Sequence, residues 1–315
     1  MEKKNGSDIG IVSGYQFSPI SALALQRERA ESFAAGRGLK GTVLLAGEGI
    51  NFSLCGPRPV LDEWLDWIGN RLGCTSPVIN RQSVDTAPFL RLKVHIREEI
   101  VTFDRAVVPA SARAGESLDP VQWNALLTHG NVQLVDARND YEYRIGSFTG
   151  AVNPHIDSFT EFKAYCRERL DPEKPVAMFC TGGVRCEKAT AWLKTLGYGQ
   201  VYQLHGGILG YLAAIPAENS QWHGECFVFD DRVSLDASLR PTGRVVCRGC
   251  RHPAEGLDAA SVPPISADGE CRLCGQVFDE SRLGSLRERA RQVALARERG
   301  VVHLGPEAQS HKGHS

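Results

Sequence analysis

Residues 175–185 read Pro175-Val-Ala-Met-Phe-Cys-Thr-Gly-Gly-Val-Arg185. The apolar run before the cysteine predicts a buried strand, and the segment from Val184 to Leu196 predicts a helix. The two glycines between them let the backbone curl so that several N–H groups point inward, which forms an anion-binding nest. This strand–loop–helix unit predicts an α/β domain with Cys180 at the end of a core strand.

Cys180 is predicted to be the reactive thiolate of an enzyme, with Arg185 as a second catalytic residue. The nest, the positive end of the following helix and the charges of Arg185 and Lys188 all favour thiolate over thiol. We therefore expect the pKa of Cys180 to fall below the free value of ~8.5, which gives a persistent nucleophile at neutral pH. The anion-binding loop is assigned to Thr181, Gly182, Gly183 and Val184.

A further thiol, Cys186, lies directly after Arg185. It could resolve an oxidised or persulfidated Cys180, which would make it an auxiliary catalytic residue. A cysteine at this point of a helix could equally face the core, and the sequence favours neither role.

The pattern Cys180-x-x-Gly-x-Arg185 resembles the six-residue loop of rhodaneses, whose cysteine carries a persulfide. The stretches Val135-Asp-Ala-Arg138 and Gly146-Ser-Phe-Thr-Gly-Ala151 also resemble rhodanese sequence, although Ser147 stands where histidine is usual. Val201-Tyr-Gln-Leu-His-Gly-Gly-Ile208 is similar to the rhodanese closing strand and turn. Phosphatases of related fold have a loop one residue longer, so the loop length here argues against a phosphate substrate.

The longer string Phe179-Cys-Thr-Gly-Gly-Val-Arg-Cys-Glu-Lys-Ala189 resembles the rhodanese-like tRNA uridine-34 hydroxylases in particular. So do Gly47-Glu-Gly-Ile-Asn51, Asn139-Asp-Tyr-Glu-Tyr143 and Phe229-Asp-Asp-Arg-Val233, and the resemblance covers most of the chain. It implies an oxidoreductase that hydroxylates carbon 5 of the wobble uridine. Molecular oxygen would be the co-substrate and the tRNA anticodon loop the partner, with no nucleotide cofactor.

The chain on either side of the loop divides into segments of different composition. Residues 118–225 alternate strands and helices and predict the rhodanese domain, a mainly parallel sheet covered on both faces. Residues 1–104 predict a ferredoxin-like α+β domain. Residues 105–117 are rich in Ala, Ser, Arg and Gly and predict a linker. Residues 226–300 predict a Cys-rich metal-binding C-terminal module, and residues 301–315 a disordered tail.

The N-terminal segment predicts the element order βαββαβ. The predicted elements are a strand at Ile9–Phe17, a helix opened by Ser18 and Pro19, hairpin strands at Gly41–Ala46 and Ile50–Cys55, a helix from Pro59, and a last strand near Leu90–Ile96.

Four cysteines in the C-terminal module predict a structural metal site. Cys247 and Cys250 form one CxxC pair, and Cys271 and Cys274 form another. This spacing is typical of a tetrahedral zinc site with four thiolate ligands, although it could also hold iron. The segment has little apolar sequence of its own, so the metal would stabilise it. A terminal helix is predicted at 286–298.

Composition indicates an ordinary globular protein without a strong overall charge. The chain has 315 residues, of which 42% are hydrophobic and 23% charged, with a net charge of -1. No run reaches the ~20 apolar residues that span a bilayer, and the N-terminus has no signal-peptide pattern, so a cytoplasmic protein without membrane contact is expected. Arg240, Arg244, Arg248 and Arg251 are close together in sequence, which suits RNA phosphates or simply a solvated face.

Three functions remain open at the level of sequence. The first is the tRNA hydroxylase. The second is a sulfurtransferase that passes persulfide sulfur to an acceptor, and the third is a non-catalytic rhodanese fold used as an RNA-binding scaffold, which the intact Cys180 disfavours. A wobble base is usually held by stacking on aromatic or arginine side chains, and the candidates are Tyr141, Tyr143, Trp222 and Arg185. The oligomeric state cannot be read from the sequence.

Overall fold

A computed structural model describes residues 9–107, 114–247, 249–255, 265–266, 268–273 and 275–299. It divides into two compact units, which are considered separately. The first unit comprises Met1–Cys226 and Asp236–Arg240, and the second comprises Phe227–Leu235 and Pro241–Ser315. No helix of the described residues is long and apolar enough to cross a membrane.

The first unit begins with a sheet covered by helices. Its elements are β1 (Ile9–Phe17), α1 (Leu23–Ala35), β2 (Lys40–Ala46), β3 (Gly49–Pro57), α2 (Arg58–Leu72), β4 (Val78–Val84) and β5 (Leu92–Ile96). The strands are arranged in the order β4-β1-β3-β2-β5. Trp64 and Ile68 of α2 are buried in the core beside Val43 and Phe52 of the sheet. This agrees with the predicted ferredoxin-like α+β domain.

The predicted last strand near Leu90–Ile96 is present as β5 (Leu92–Ile96), but the prediction missed the strand before it, β4. The fourth strand of the βαββαβ unit is β4, which pairs antiparallel with β1, whereas β5 is an additional strand that pairs parallel with β2. The sequence of β4, Val78-Ile-Asn-Arg-Gln-Ser-Val84, lies at a sheet edge and alternates between half-buried and exposed positions. Because the strand buries neither face fully, its sequence lacks the apolar alternation that identifies a strand.

Helix α1 begins at Leu23 rather than at Ser18 and Pro19. The N–H of Ser18 donates to the carbonyl oxygen of Glu48 at 2.9 Å, and the N–H of Ile20 donates to that of Gly47 at 3.1 Å. These bonds hold the chain in an extended form beside the β2–β3 turn, so the helix cannot start there.

A second sheet follows within the same unit. Its domain contains β6 (Glu116–Leu118), α3 (Pro120–His129), β7 (Gln133–Asp136), α4 (Asp140–Tyr143), β8 (Gly146–Phe148), α5 (Phe162–Arg169), β9 (Val176–Phe179), α6 (Val184–Thr195), β10 (Val201–Leu204), α7 (Gly207–Ala214) and β11 (Trp222–Gly224). The order β6-β10-β9-β7, with every pairing parallel, confirms the predicted parallel sheet. Strand β6 begins in the last two residues of the predicted linker.

Strand β9 places the cysteine loop. All of its residues are buried, because a parallel sheet is covered by helices on both faces. The chain leaves the carboxyl end of β9 at Cys180 and enters α6 at Val184. The carboxyl edge of a parallel sheet is where α/β proteins usually place their ligand sites.

The second unit has a small core around cysteines. After β12 (Cys226–Phe227), it contains β13 (Ser234–Leu235), β14 (Val245–Val246), β15 (Pro253–Ala254) and α8 (Glu280–Glu298). The core includes Cys247, Cys271, Phe278, Leu283 and Leu286. Helix α8 starts six residues before the predicted Leu286, because Asp279 Oδ1 accepts the N–H of Arg282 at 2.7 Å as an N-cap. The predicted disordered tail lies outside the described residues.

Candidate active site

The loop from Cys180 to Arg185 curls around the cysteine sulfur. Cys180 is 1% exposed, and its Sγ accepts the backbone N–H of Gly183 at 3.2 Å. Gly183 has a φ of 102°, in the left-handed region that favours glycine. A Cβ at this position would also lie 2.8 Å from the Tyr15 hydroxyl, so backbone shape and space both require glycine here.

The charge state of Cys180 follows from opposing effects. Burial raises the pKa of the thiol, but a hydrogen bond from Cys186, the charge of Arg185 and the N–H groups of both residues outweigh burial. Together they lower the pKa of Cys180 from 9.0 to about 6. The loop therefore favours a thiolate at neutral pH, in the direction that its residue types indicate.

Cys186 faces the core and also contacts Cys180. It is fully buried in the same core cluster. Burial, the hydrogen bond to Cys180 and the negative charge of Cys180 raise the pKa of Cys186 well above its usual value. Cys186 therefore remains a thiol, and its S–H group can donate a hydrogen bond to the Cys180 sulfur. The two roles that the sequence left open are both compatible with this position.

The buried partner of Arg185 is Glu142, in the short helix α4. The two side chains form a bidentate pair, with Nη1–Oε2 at 2.7 Å and Nη2–Oε1 at 2.8 Å. The Thr181 hydroxyl also donates to Glu142 Oε1 at 3.3 Å. Burial raises the pKa of Glu142, but Arg185 outweighs this effect and lowers it overall. Sequence reasoning placed Glu142 in a resembling stretch without assigning this contact.

A second buried ion pair, Arg138–Asp136, lies at the carboxyl end of β7. Arg138 and Asp136 are both fully buried, with Nη2–Oδ2 at 2.6 Å and Nε–Oδ1 at 2.8 Å. Ser147, at the position where histidine was expected, donates to Asp136 Oδ2 at 2.9 Å. Asp136 is thus satisfied at the carboxyl end of β7, and Ser147 serves a structural role there.

Lys188 has a different role from the one its sequence position suggests. Its Nζ lies 2.8 Å from Glu48 Oε2 and 2.5 Å from Glu99 Oε1, and its side chain is fully buried. Glu48 is in the β2–β3 turn and Glu99 follows β5, so both carboxylates come from the N-terminal domain. The charge of Lys188 is compensated by this ion-pair network, which joins the N-terminal and rhodanese domains.

Two further contacts join the N-terminal domain to the rhodanese domain, and neither has a local sequence signal. Tyr15 of β1 donates from its hydroxyl to Glu187 Oε1 on α6 at 3.3 Å. Asn80 of β4 donates from its amide to the carbonyl oxygen of Gly206 at 3.1 Å. Only the folded arrangement of the two domains reveals them.

The predicted stacking residues differ in accessibility. Trp222 is 4% exposed, and the Arg138 guanidinium lies 5.1 Å from its ring centre, so it belongs to the core. Tyr143 is half-buried and donates to the carbonyl oxygen of Ala151 at 3.0 Å. Tyr141 is half-buried as well, and burial raises its pKa to about 12. The tyrosines on α4 remain the candidates with some exposed surface.

The C-terminal cysteines converge in the second unit. The sulfur atoms of Cys247, Cys250 and Cys271 lie within 4.8 Å of one another, while Cys274 lies outside the described residues. The loops after Cys247 and Cys271 share one backbone pattern. The N–H of Arg251 donates to the Cys247 carbonyl at 2.9 Å, and the N–H of Gly275 donates to the Cys271 carbonyl at 2.8 Å.

These matching loops fit a metal. Arg251 and Gly275 also share a positive φ, of 71° and 76°. In the sequence, Cys274 follows Cys271 at the same spacing at which Cys250 follows Cys247. Thiolates so close together repel one another, and Zn²⁺ is the usual ion that such a set binds.

The predicted arginine cluster is partly paired with carboxylates. Arg240 Nη2 lies 3.1 Å from Asp236 Oδ2, and Arg244 forms an ion pair with Glu255. Arg251 is exposed, and Arg248 lies outside the described residues. The surface charge of this segment is therefore smaller than the sequence alone indicates.

Two family models match separate parts of the chain. The UPF0176 acylphosphatase like domain matches residues 9–100, and the rhodanese-like domain matches residues 119–214. A tRNA uridine(34) hydroxylase of Mesorhizobium japonicum is 41% identical over 301 residues, covering 94% of this chain and 97% of that protein. A tRNA uridine(34) hydroxylase of Teredinibacter turnerae is 41% identical over 305 residues, covering 96% of this chain and 94% of that protein.

Among solved structures, the crystal structure of a rhodanese-like domain protein from Staphylococcus aureus resembles part of the chain. It is 22% identical, covers 30% of this chain and 90% of that one, and has a TM-score of 0.27.

Proposed function

This chain belongs to the tRNA uridine(34) hydroxylase family, and we propose that its Cys180 thiolate acts on the wobble uridine of tRNA. The observation that carries the proposal is the lowered pKa of Cys180, about 6, in a loop whose N–H groups face the sulfur. A thiolate at neutral pH can add to carbon 6 of a uracil ring, which activates carbon 5 for hydroxylation. Molecular oxygen is the proposed co-substrate and source of the new hydroxyl oxygen.

Arg185 and the loop residues have a supporting part in this proposal. Arg185 helps to keep Cys180 ionised, although its guanidinium is also paired with Glu142. Thr181, Gly182, Gly183 and Val184 shape the nest around the sulfur. Cys186 is proposed as the hydrogen-bond donor to the thiolate, which does not require it to form a disulfide.

The proposed substrate site lies in the anticodon loop, where the wobble base is accessible as a single-stranded residue. Because Cys180 is 1% exposed, a base can contact its sulfur only after the residues around the loop move apart. Tyr141 and Tyr143, which are half-buried on α4, are the proposed stacking surfaces. The exposed Arg251 is a proposed phosphate contact.

We also propose that Cys247, Cys250, Cys271 and Cys274 hold one structural zinc ion. The convergence of the described sulfurs and the matching backbone of the two loops support this assignment. The ion would cross-link a segment whose core contains few apolar residues, and its role would be to stabilise the fold.

The alternative function, a sulfurtransferase, would use the same Cys180 thiolate. The two functions differ in the atom that reaches the product, which is oxygen for the hydroxylase and sulfur for the sulfurtransferase. Strains with and without this protein are grown under isotopically heavy oxygen gas, and their tRNA nucleosides are analysed by mass spectrometry. We expect heavy oxygen in the 5-hydroxyuridine derivatives at the wobble position, and loss of these nucleosides when the protein is absent. Unchanged 5-hydroxyuridine together with less thiolated nucleoside would favour the sulfurtransferase instead.

A further inference from the structure

The hydroxyl of Tyr15 lies at the edge of the cysteine loop, although Tyr15 belongs to the N-terminal domain. A Cβ built on Gly183 would lie 2.8 Å from Tyr15 Oη, and the N–H of the same glycine donates to Cys180 Sγ at 3.2 Å. Tyr15 is 6% exposed and packs against Val184. One glycine therefore separates the nucleophilic sulfur from a phenol group of the other domain.

Behind Tyr15 lies the carboxyl group of Glu187, at 3.3 Å from the hydroxyl. Burial raises the pKa of Glu187, and the nearby charge of Cys180 raises it further, although the contacts with Gln203 and Tyr15 partly oppose the shift. Overall the pKa of Glu187 is raised, which shifts this group towards its protonated form. The titratable groups that face it are Tyr15 on β1, Cys180 in the loop, Cys186 on α6 and His205 after β10.

Protonation of Glu187 changes the direction of the contact with Tyr15. A hydroxyl group carries one hydrogen and can also accept, so a protonated Glu187 donates to Tyr15 and leaves the phenol hydrogen available. Burial is the largest cause that raises the pKa of Tyr15 well above its usual value, and the negative charge of Cys180 adds to it, so the phenol stays neutral. The neutral Tyr15 hydroxyl is then a proton donor near the Cys180 thiolate, and the protonated Glu187 can replace the proton that Tyr15 gives.

We propose that Tyr15, supplied by Glu187, is the catalytic acid that protonates the uracil when Cys180 adds to it. The inference rests on the proposed function. The Cys180 sulfur forms a bond to carbon 6, and the electron pair of the C5–C6 double bond moves through carbon 4 to O4. Tyr15 gives its proton to O4, and Glu187 gives its proton to Tyr15. The negative charge of the thiolate ends on the Glu187 carboxylate, and no oxidant takes part.

This step can be measured without oxygen. Reversible addition at carbon 6 lets the hydrogen on carbon 5 exchange with solvent, so full-length protein is incubated with unmodified tRNA in oxygen-free heavy water. Mass spectrometry of the wobble nucleoside gives the exchange rate. General acid–base catalysis contributes on the order of 100-fold or more, so Tyr15→Phe should slow exchange by about that factor. Tyr165→Phe, which makes the same change in the half-buried Tyr165 of α5, should leave the rate unchanged.

The pH profile distinguishes a proton donor from a packing residue. Wild-type exchange should follow two titrations: the ionisation of Cys180, which creates the nucleophile, and the loss of the Glu187 proton, which removes the acid. Glu187→Gln keeps a donor amide but has no proton to give, so its rate should be lower and its pH profile should follow the ionisation of Cys180 alone. Exchange by Tyr15→Phe at the wild-type rate and with the wild-type profile would overturn the inference.

The failure of the inference can be told apart from the failure of the proposed function. If the wild type does not exchange the wobble hydrogen, the addition step and the role of Tyr15 are both refuted. 5-Hydroxyuridine is then measured in cells with and without the protein. If it is lost without the protein, the hydroxylase assignment stands; if it is unchanged, that assignment is refuted as well.

Discussion

Arg185 and Glu142 are joined by two parallel hydrogen bonds, of 2.7 and 2.8 Å, in the interior of the rhodanese domain. The pair fixes the guanidinium at the start of α6 and sets the direction in which its charge acts on Cys180. The position of the Arg185 cation near the Cys180 thiolate thus depends on the Glu142 carboxylate, 43 residues earlier in the chain.

Glu142→Gln should destabilise the protein, because it leaves Arg185 buried without its anion. Removal of one partner of a buried pair costs about 3–5 kcal/mol. Glu63→Gln, in the exposed pair with Arg37 at 2.8 Å, should cost about 1 kcal/mol or less. Chemical denaturation of both variants measures the difference, and equal losses would contradict the account.

The same pair makes a pH-dependent contribution to stability. Arg185 lowers the pKa of Glu142 in the folded protein, so the contribution is present above the unfolded carboxyl pKa and is lost as pH falls through the folded value. The extra stability of wild type over Glu142→Gln should therefore shrink in acid.

Cys180 should be more acidic than the buried thiols Cys166, Cys186 and Cys226, whose pKa values are raised. Its alkylation by iodoacetamide should be half-maximal near pH 6, since its pKa is about 6. Burial raises the pKa of Cys226 to about 12 and that of Cys74 to about 11, so these thiols serve as internal controls. Site-resolved mass spectrometry across pH gives each midpoint. A midpoint for Cys180 at or above that of a free thiol would refute the charge assignment.

Cys186 should tune Cys180 through one hydrogen bond. Cys186→Ala removes the donor, and a hydrogen bond to a charged group contributes about 1.5–3 kcal/mol, so the midpoint of Cys180 should rise by about 1–2 pH units. Cys186→Ser keeps a donor hydroxyl and should leave the midpoint near its original value. In cells, Cys186→Ser should restore tRNA modification partly or fully. An unchanged midpoint in Cys186→Ala would show that the bond is unimportant.

The C-terminal module should contain about one metal ion per chain, predicted to be zinc. Elemental analysis of the purified protein should show the ion, and the double variant Cys247→Ser, Cys271→Ser should lose it. Limited proteolysis should then cut this segment more rapidly, because the cross-link is absent. Wild-type protein that is metal-free and equally protected would contradict the prediction.

The cysteine loop was predictable because its chemistry is local. Strand, glycines and helix start follow one another in sequence, so the nest around Cys180 can be inferred from residue types and spacing. The two CxxC pairs were predictable for the same reason. The described sulfurs of Cys247, Cys250 and Cys271 do converge.

The partners of the loop were not predictable, because they depend on tertiary contacts between distant segments. Glu142, Tyr15 and Glu48 lie in other elements, and a carboxylate or phenol in those positions carries no sign of what it will contact. The edge strand β4 was missed for a different reason. Its sequence is polar and partly exposed to solvent, so it has no apolar strand pattern. Its backbone hydrogen bonds are made with β1, a pairing that only the folded sheet shows.

The most direct test of the account is whether the sulfur of Cys180 is required for hydroxylation of the wobble uridine. A strain that lacks the protein is complemented with wild type, Cys180→Ala or Cys166→Ala, and its tRNA nucleosides are measured by mass spectrometry. Cys166 is buried in the same core cluster, so its variant controls for the loss of a core sulfur. The account predicts 5-hydroxyuridine derivatives with wild type and Cys166→Ala and none with Cys180→Ala. Full restoration by Cys180→Ala would contradict it.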